Sequence, residues 1–109
     1  MEQDTGIFTF LEEQTRNDKL AVTATSVVVS ESRNAANPRK NIVIRNTSPN
    51  AVDIITINIG FSTATSSFGI VLNQNEAFSD SSESGYQCAQ GTISAVCATA
   101  NGQLSIYER

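Results

Sequence analysis

Histidine and tryptophan are absent from this chain of 109 residues, and proline and cysteine occur only twice each. Without histidine the chain cannot build a Ser-His-Asp or Cys-His catalytic group, and only two cysteines and carboxylates remain for zinc. The six glycines form neither of the glycine patterns that cradle phosphate groups. Asp80 and Glu83 bracket a serine-rich loop without the dense spacing of a calcium loop. We therefore expect no enzyme, no cofactor and no metal site.

Positive charge is also scarce, with seven basic residues against eleven acidic ones and a formal net charge of −4. This excess of negative charge opposes binding to nucleic-acid phosphates or to anionic lipid. No run of 18 apolar residues occurs, and the acidic start, Met1 to Asp4, is not followed by an apolar stretch of signal-peptide length. We therefore expect no nucleic-acid partner and no membrane partner. We also expect the protein to be synthesised in a cytosol.

What the chain does contain is a series of short aliphatic and β-branched runs separated by Asn, Ser, Gly and Pro. The runs span 20–30, 41–46, 51–59, 70–72, 77–78 and 93–106. The third run is apolar on both faces where it starts, so either its own domain or a partner chain covers the second face. The pattern predicts an all-β fold: a single antiparallel β-sandwich or flattened barrel over residues 20–109. Residues 1–19 do not fit the strand pattern and could form an extended arm, an edge strand or one short helix, of which we favour the extended N-terminal arm.

Two turns are predicted from their residue types. Asn101-Gly102 suits a two-residue hairpin turn, which would pair Cys97 with Ile106 and gather Ile93, Ala95, Cys97, Leu104 and Ile106 on one apolar face. Asn73-Gln74-Asn75-Glu76 would form a four-residue hairpin connection. This register argues against a Cys88–Cys97 bridge within the hairpin but leaves a bridge between different strands open, and buried thiols are the simpler expectation.

Candidate contact residues fall into three groups. The arm carries four large apolar side chains that must be buried, either by a neighbouring subunit or by the chain's own core: Ile7, Phe8, Phe10 and Leu11. The basic concentration around the second run would bind carboxylates of a partner or form a solvated edge: Arg33, Arg39, Lys40 and Arg45. Phe61 and Phe68 end a stretch of small residues that is predicted to be an exposed loop.

The segment Asn37-Pro38-Arg39-Lys40-Asn41-Ile42-Val43-Ile44-Arg45-Asn46-Thr47-Ser48 resembles a strand found in small virion proteins of tailed bacteriophages. The resemblance extends over about residues 20–109 through the later stretches 57–60, 69–72, 91–96 and 104–109. In these stretches the chain is similar to capsid decoration or cement proteins, head fibres and tail components. This resemblance implies a β-sandwich. Fold transfers better than role in such a likeness.

Small size, Ser- and Thr-rich strands, an apolar arm and the missing catalytic groups favour a capsid decoration or cement protein. Such a protein would bind the lattice of the major capsid protein and stabilise it, as a homo-oligomer (dimer or trimer). It would be made in the host cytoplasm and reside on the capsid surface of the virion. The alternative is a receptor- or glycan-binding module of a phage tail or fibre, which would use Phe61 and Phe68.

Overall fold

The computed structural model describes residues 15–109 of this chain. Within that range the chain forms eight β-strands. The strands are β1 (Arg16–Val22), β2 (Val27–Ser30), β3 (Asn41–Asn46), β4 (Ile55–Ile59), β5 (Ile70–Leu72), β6 (Ala77–Ser81), β7 (Ile93–Cys97) and β8 (Gly102–Glu108). None of the described residues forms a helix long and apolar enough to cross a membrane.

The eight strands form two four-stranded sheets. Sheet A has the strand order β1-β8-β3-β6, and sheet B has the order β2-β7-β4-β5. Every strand pairing within the two sheets is antiparallel. The predicted all-β, antiparallel β-sandwich is therefore confirmed.

The core lies between the two sheets and is built from alternate residues of each strand, because side chains in a strand alternate between its two faces. Strands β3 and β8 of sheet A and β4 and β7 of sheet B supply most of it. Their buried members are Ile42, Ile44, Leu104, Ile106, Ile55, Ile57, Ile93, Ala95 and Cys97. Full burial of each large aliphatic side chain contributes roughly 1.5–3 kcal/mol before the entropy of ordering is subtracted.

The predicted hairpin at Asn101-Gly102 is wrong. Strand β7 pairs with β2 and β4, and β8 pairs with β1 and β3, so the chain crosses from sheet B to sheet A between them. Gly102 has no positive φ; a Cβ there would lie 2.7 Å from both Cys97 Sγ and the Val22 carbonyl oxygen. The glycine is needed for close packing and not for a turn. The five residues predicted to share one apolar face are all buried, but they face each other across the interior.

The predicted connection Asn73–Glu76 is not a hairpin either, since β5 belongs to sheet B and β6 to sheet A. The run 20–30 is likewise divided between β1 and β2, which lie in different sheets. In all three places the chain crosses from one sheet to the other. The sequence had suggested a single strand for the run 20–30 and a pair of adjacent strands at the other two places.

Strand β1 begins at Arg16, so residues 16–19 of the predicted arm belong to sheet A. The apolar arm residues Ile7, Phe8, Phe10 and Leu11 lie outside the described residues. Cys88 and Cys97 are both buried free thiols, in agreement with the simpler of the two expectations.

Candidate functional site

The connection between β4 and β5, residues 60–69, folds back over the outer face of sheet B; we call it the aromatic loop. Two hydroxyl groups fasten its first half. Ser94 Oγ of β7 donates a hydrogen bond to the Phe61 carbonyl oxygen at 2.7 Å, and Ser26 Oγ accepts one from the Ala64 backbone N–H at 2.7 Å. The first half of the loop is therefore bonded to β7 of sheet B and to the residue that directly precedes β2.

Asn58 of β4 fastens the second half of the aromatic loop. Its side chain is only 1% exposed although it points away from the core. Its Nδ2 donates to the Phe68 carbonyl oxygen at 2.7 Å, and its Oδ1 accepts from the Thr65 backbone N–H at 2.7 Å. Buried polar groups need such partners. The outer face of β4 around Asn58 is thus covered by the chain's own loop. Val52, which made the start of the run apolar on its second face, lies before β4 and is 66% exposed.

Gly69 closes the aromatic loop where it enters β5. Its φ of +124° lies in the region that side chains other than glycine rarely adopt. A Cβ at this position would overlap the side-chain nitrogen of Asn58 and the carbonyl oxygen of Ile57. The close approach of the loop backbone to β4 therefore requires glycine.

The fastened loop holds Phe61 and Phe68 against each other, with ring centroids 5.5 Å apart and an interplanar angle of 71°. Both rings are still about half exposed, at 50% and 53%, and Val71 of β5 is 52% exposed on the same outer face. We call these three residues the aromatic patch. Large exposed apolar surfaces rimmed by polar residues mark interaction sites, and the serines and threonines of the loop form such a rim, so the aromatic patch is the candidate site.

A second cluster of polar side chains is buried at one end of the sandwich, around Glu108 of β8. Arg39 is fully buried, and its Nε donates to Glu108 Oε2 at 2.8 Å. Ser30 of β2 donates its hydroxyl to the same carboxylate oxygen, and Arg39 Nη2 donates to Ser30 Oγ at 2.7 Å. Arg16 and Arg33 add ion pairs to Glu108 at 3.3 and 3.5 Å. The cluster joins β8 of sheet A to β2 of sheet B.

The pKa of Glu108 reflects this environment. Burial by itself raises its pKa, but the hydrogen bonds from Arg39 and Ser30, and then the charges of Arg33 and Arg39, lower it by more, so the net shift is below the ordinary 4.5. A carboxylate whose folded-state pKa is depressed stabilises the fold above its unfolded pKa, and this stabilisation is lost as the pH falls through the folded-state pKa.

We therefore expect the free energy of unfolding to fall as the pH drops below about 4.5, and to fall less in the Glu108→Gln variant than in the wild type. Urea unfolding at a series of pH values measures both slopes, with the exposed Glu31→Gln as the matched control. An NMR titration of the Glu108 carboxyl in the wild type gives the midpoint directly. A midpoint at or above 4.5 would contradict the expectation.

The four residues of the predicted basic cluster separate into two pairs. Arg39 is fully buried and Arg33 is largely buried, and both use their guanidinium groups on Glu108. Arg39 is thus not available to the carboxylate of a partner. Lys40 and Arg45 are exposed. Arg33 and Arg39 differ from Lys40 and Arg45 because their guanidinium groups bind the buried carboxylate of Glu108. Glu108 lies 69 residues after Arg39 in the sequence.

The carboxylate of Asp80, at the start of the serine-rich loop, is bonded to the segment that follows the loop. Asp80 Oδ1 accepts from the Tyr86 hydroxyl at 2.9 Å, and Oδ2 accepts from the Ala89 backbone N–H at 3.0 Å. The hydrogen bond to Asp80 is the main cause that raises the pKa of the Tyr86 phenol. No group of three or more His, Cys, Asp or Glu side chains comes together among residues 15–109 to hold a metal ion.

Neither a family model nor a curated protein matches the chain. The aromatic patch and the cluster around Glu108 are thus known from geometry alone. Phe61 and Phe68 were expected to lie in an exposed loop, and they do. Asn58, Ser94 and Glu108 were not singled out. The period of two would have placed Glu108 on the inner face with Leu104 and Ile106, but no local pattern indicates that Asn58 bonds to a loop.

Proposed function

We propose that this chain is a structural protein of a bacteriophage virion that decorates the capsid and binds the major capsid protein through the aromatic patch. One observation carries the proposal: two phenylalanines are held half exposed by a loop that is fastened to sheet B at both ends. The resemblance of residues 20–109 to small virion proteins supplies the virion context.

The aromatic patch has the properties of a binding centre. Phenylalanine side chains in water forfeit part of the roughly 1.5–3 kcal/mol that full burial of each would contribute, and a partner surface would recover it. The hydrogen bonds of Asn58 and Ser94 fix the loop before binding, so little conformational entropy is lost on association. Few residues dominate the affinity of most interfaces, and they lie at a well-packed centre.

A second candidate is a receptor- or glycan-binding module of a phage tail or fibre, which would use the same two rings. Exposed aromatic rings are what a sugar face stacks on. The 71° angle between the rings favours a protein partner, since perpendicular rings do not form one flat platform. Purified chain applied to a glycan array tests this candidate directly, and binding that is lost in F61A/F68A would favour it over capsid decoration.

The double variant F61A/F68A should lose affinity for purified capsids of the phage that encodes this chain by roughly tenfold or more, because the centre of the interface is removed. Co-sedimentation of labelled protein with capsids measures the affinity. Tyr86→Ala is the matched control, since Tyr86 is a similarly exposed aromatic residue, at 57%, outside the patch. Unchanged binding of F61A/F68A, or an equal loss in Tyr86→Ala, would reject the aromatic patch as the binding surface.

A further inference from the structure

Sheet A has one face that packs on sheet B and an opposite face that no other strand of the described residues covers; we call the latter the open face. The strand register places Lys19 of β1 and Arg45 of β3 on either side of Ser105 of β8 on the open face. Both basic side chains are exposed. No carboxylate of the described residues lies within ion-pair distance of either. The open face thus carries a row of unpaired positive charge.

An apolar pair lies beside this row. Val43 of β3 and Tyr107 of β8 are direct neighbours on the same face and are half-buried. Val43 precedes Arg45 by two residues in β3, and Tyr107 follows Ser105 by two residues in β8. Two residues along a strand correspond to about 7 Å. Arg109 follows two residues after Tyr107 and is exposed. It forms no ion pair with any of residues 15–109. The face has a basic, an apolar and a second basic band, and we call it the banded face.

The N-terminal segment, residues 1–14, has the complementary order of side chains. It contains four of the eleven acidic residues of the chain and none of the seven basic ones, so residues 15–109 hold seven of each and are neutral. The acidic residues flank the apolar stretch 7–11 on both sides: Glu2 and Asp4 before it, Glu12 and Glu13 after it. Acidic, apolar and acidic stretches thus match the basic, apolar and basic bands.

The sequence also distinguishes between the chain's own N-terminal segment and that of a second copy as the occupant of the banded face. This segment is joined to Arg16 at the edge strand of sheet A, and a segment that covers its own sheet must reverse direction before that residue. Residues 7–15 contain no glycine, proline, asparagine or aspartate, which are the residues that form tight reversals. The same segment from a second copy needs no such turn.

We infer that the N-terminal segment of one copy of this chain docks on the banded face of a second copy, and that this contact builds the homo-oligomer. Glu12 and Glu13 or Glu2 and Asp4 meet Lys19 and Arg45. The apolar stretch covers Val43 and Tyr107. The inference goes beyond the proposed capsid contact, which uses the opposite side of the sandwich, so either can fail without the other.

Sedimentation equilibrium of the purified full chain tests the inference. The wild type should be an oligomer whose association weakens between about 0.02 M and about 0.5 M NaCl, because exposed ion pairs are screened by salt. Removal of residues 1–14 should give a folded monomer. The double variant K19E/R45E, with two exposed positions changed, should associate roughly tenfold more weakly.

A charge reversal gives the sharpest control. The changes D4K/E12K/E13K on the K19E/R45E background should restore association, whereas the same three changes alone should weaken it. F61A/F68A should remain an oligomer while losing capsid binding. A monomeric wild type, an oligomer that survives removal of residues 1–14, or a charge reversal that restores nothing would each overturn the inference.

Discussion

Replacing Arg39 with methionine should lower the free energy of unfolding by about 3–5 kcal/mol, because removing one partner leaves the buried carboxylate of Glu108 without its main counter-charge. Arg39 is fully buried and its guanidinium donates to Glu108, Ser30 and backbone carbonyls of the connections on either side. Methionine fills much of the volume but donates no hydrogen bond. Urea unfolding followed by circular dichroism measures the loss.

Lys40→Met is the matched control for Arg39→Met, because Lys40 is the adjacent basic residue and is exposed; its free energy of unfolding should change by less than about 0.5 kcal/mol. The double variant R39M/E108L should be less destabilised than the sum of its two single variants, since it removes both charges together. A loss in Arg39→Met as small as that in Lys40→Met would show that the buried pair does not stabilise the fold. If Arg39→Met fails to fold, a folded R39M/E108L would still show that the unpaired carboxylate of Glu108 causes the failure.

The individual strands could be predicted from sequence far better than their pairing. Strand β3 was predicted with the bounds that the structure gives it, Asn41–Asn46, and β5 with its bounds Ile70–Leu72. Alternation with a period of two marks a strand with one buried face. It does not tell whether two successive strands lie side by side in one sheet or face each other across a sandwich, because both arrangements bury the same residues. The hairpin at Asn101-Gly102 was wrong for this reason.

The candidate site could be predicted in part. Two phenylalanines at the ends of a stretch of small residues indicate an exposed aromatic loop, and Phe61 and Phe68 form one. The groups that fasten the loop could not be predicted, since Asn58 lies in a strand whose neighbours are aliphatic and its partners are backbone atoms of the loop. The burial of Arg39 could not be predicted for a similar reason. Its partner Glu108 is distant in sequence, and a local concentration of basic residues does not show which of them is buried.

Asn46 shows how a polar residue inside an aliphatic strand joins the two sheets. Its side chain is completely buried. Its Nδ2 donates to the carbonyl oxygens of Asp53 and Leu72, both at 2.9 Å, and its Oδ1 accepts from the Ser48 backbone N–H at 2.9 Å. One amide thus connects β3 of sheet A, the β3–β4 connection and β5 of sheet B. The sequence Asn46-Thr47-Ser48 also matches the Asn-x-Ser/Thr acceptor pattern for N-glycosylation, but the buried amide does not present a glycosylation site in the folded domain.

Replacing Asn46 with leucine, which has a similar size and no hydrogen-bonding group, should therefore lower the free energy of unfolding by about 3 kcal/mol or more, since each buried backbone group left without a partner costs about 1–3 kcal/mol. Asn101→Leu is the matched control, because Asn101 is an exposed asparagine whose replacement should change stability by less than about 0.5 kcal/mol. Urea unfolding of both variants measures the difference. Equal stability of the two would mean that the Asn46 amide is replaceable by apolar packing, and the two sheets would then be joined at this end by the aliphatic core alone.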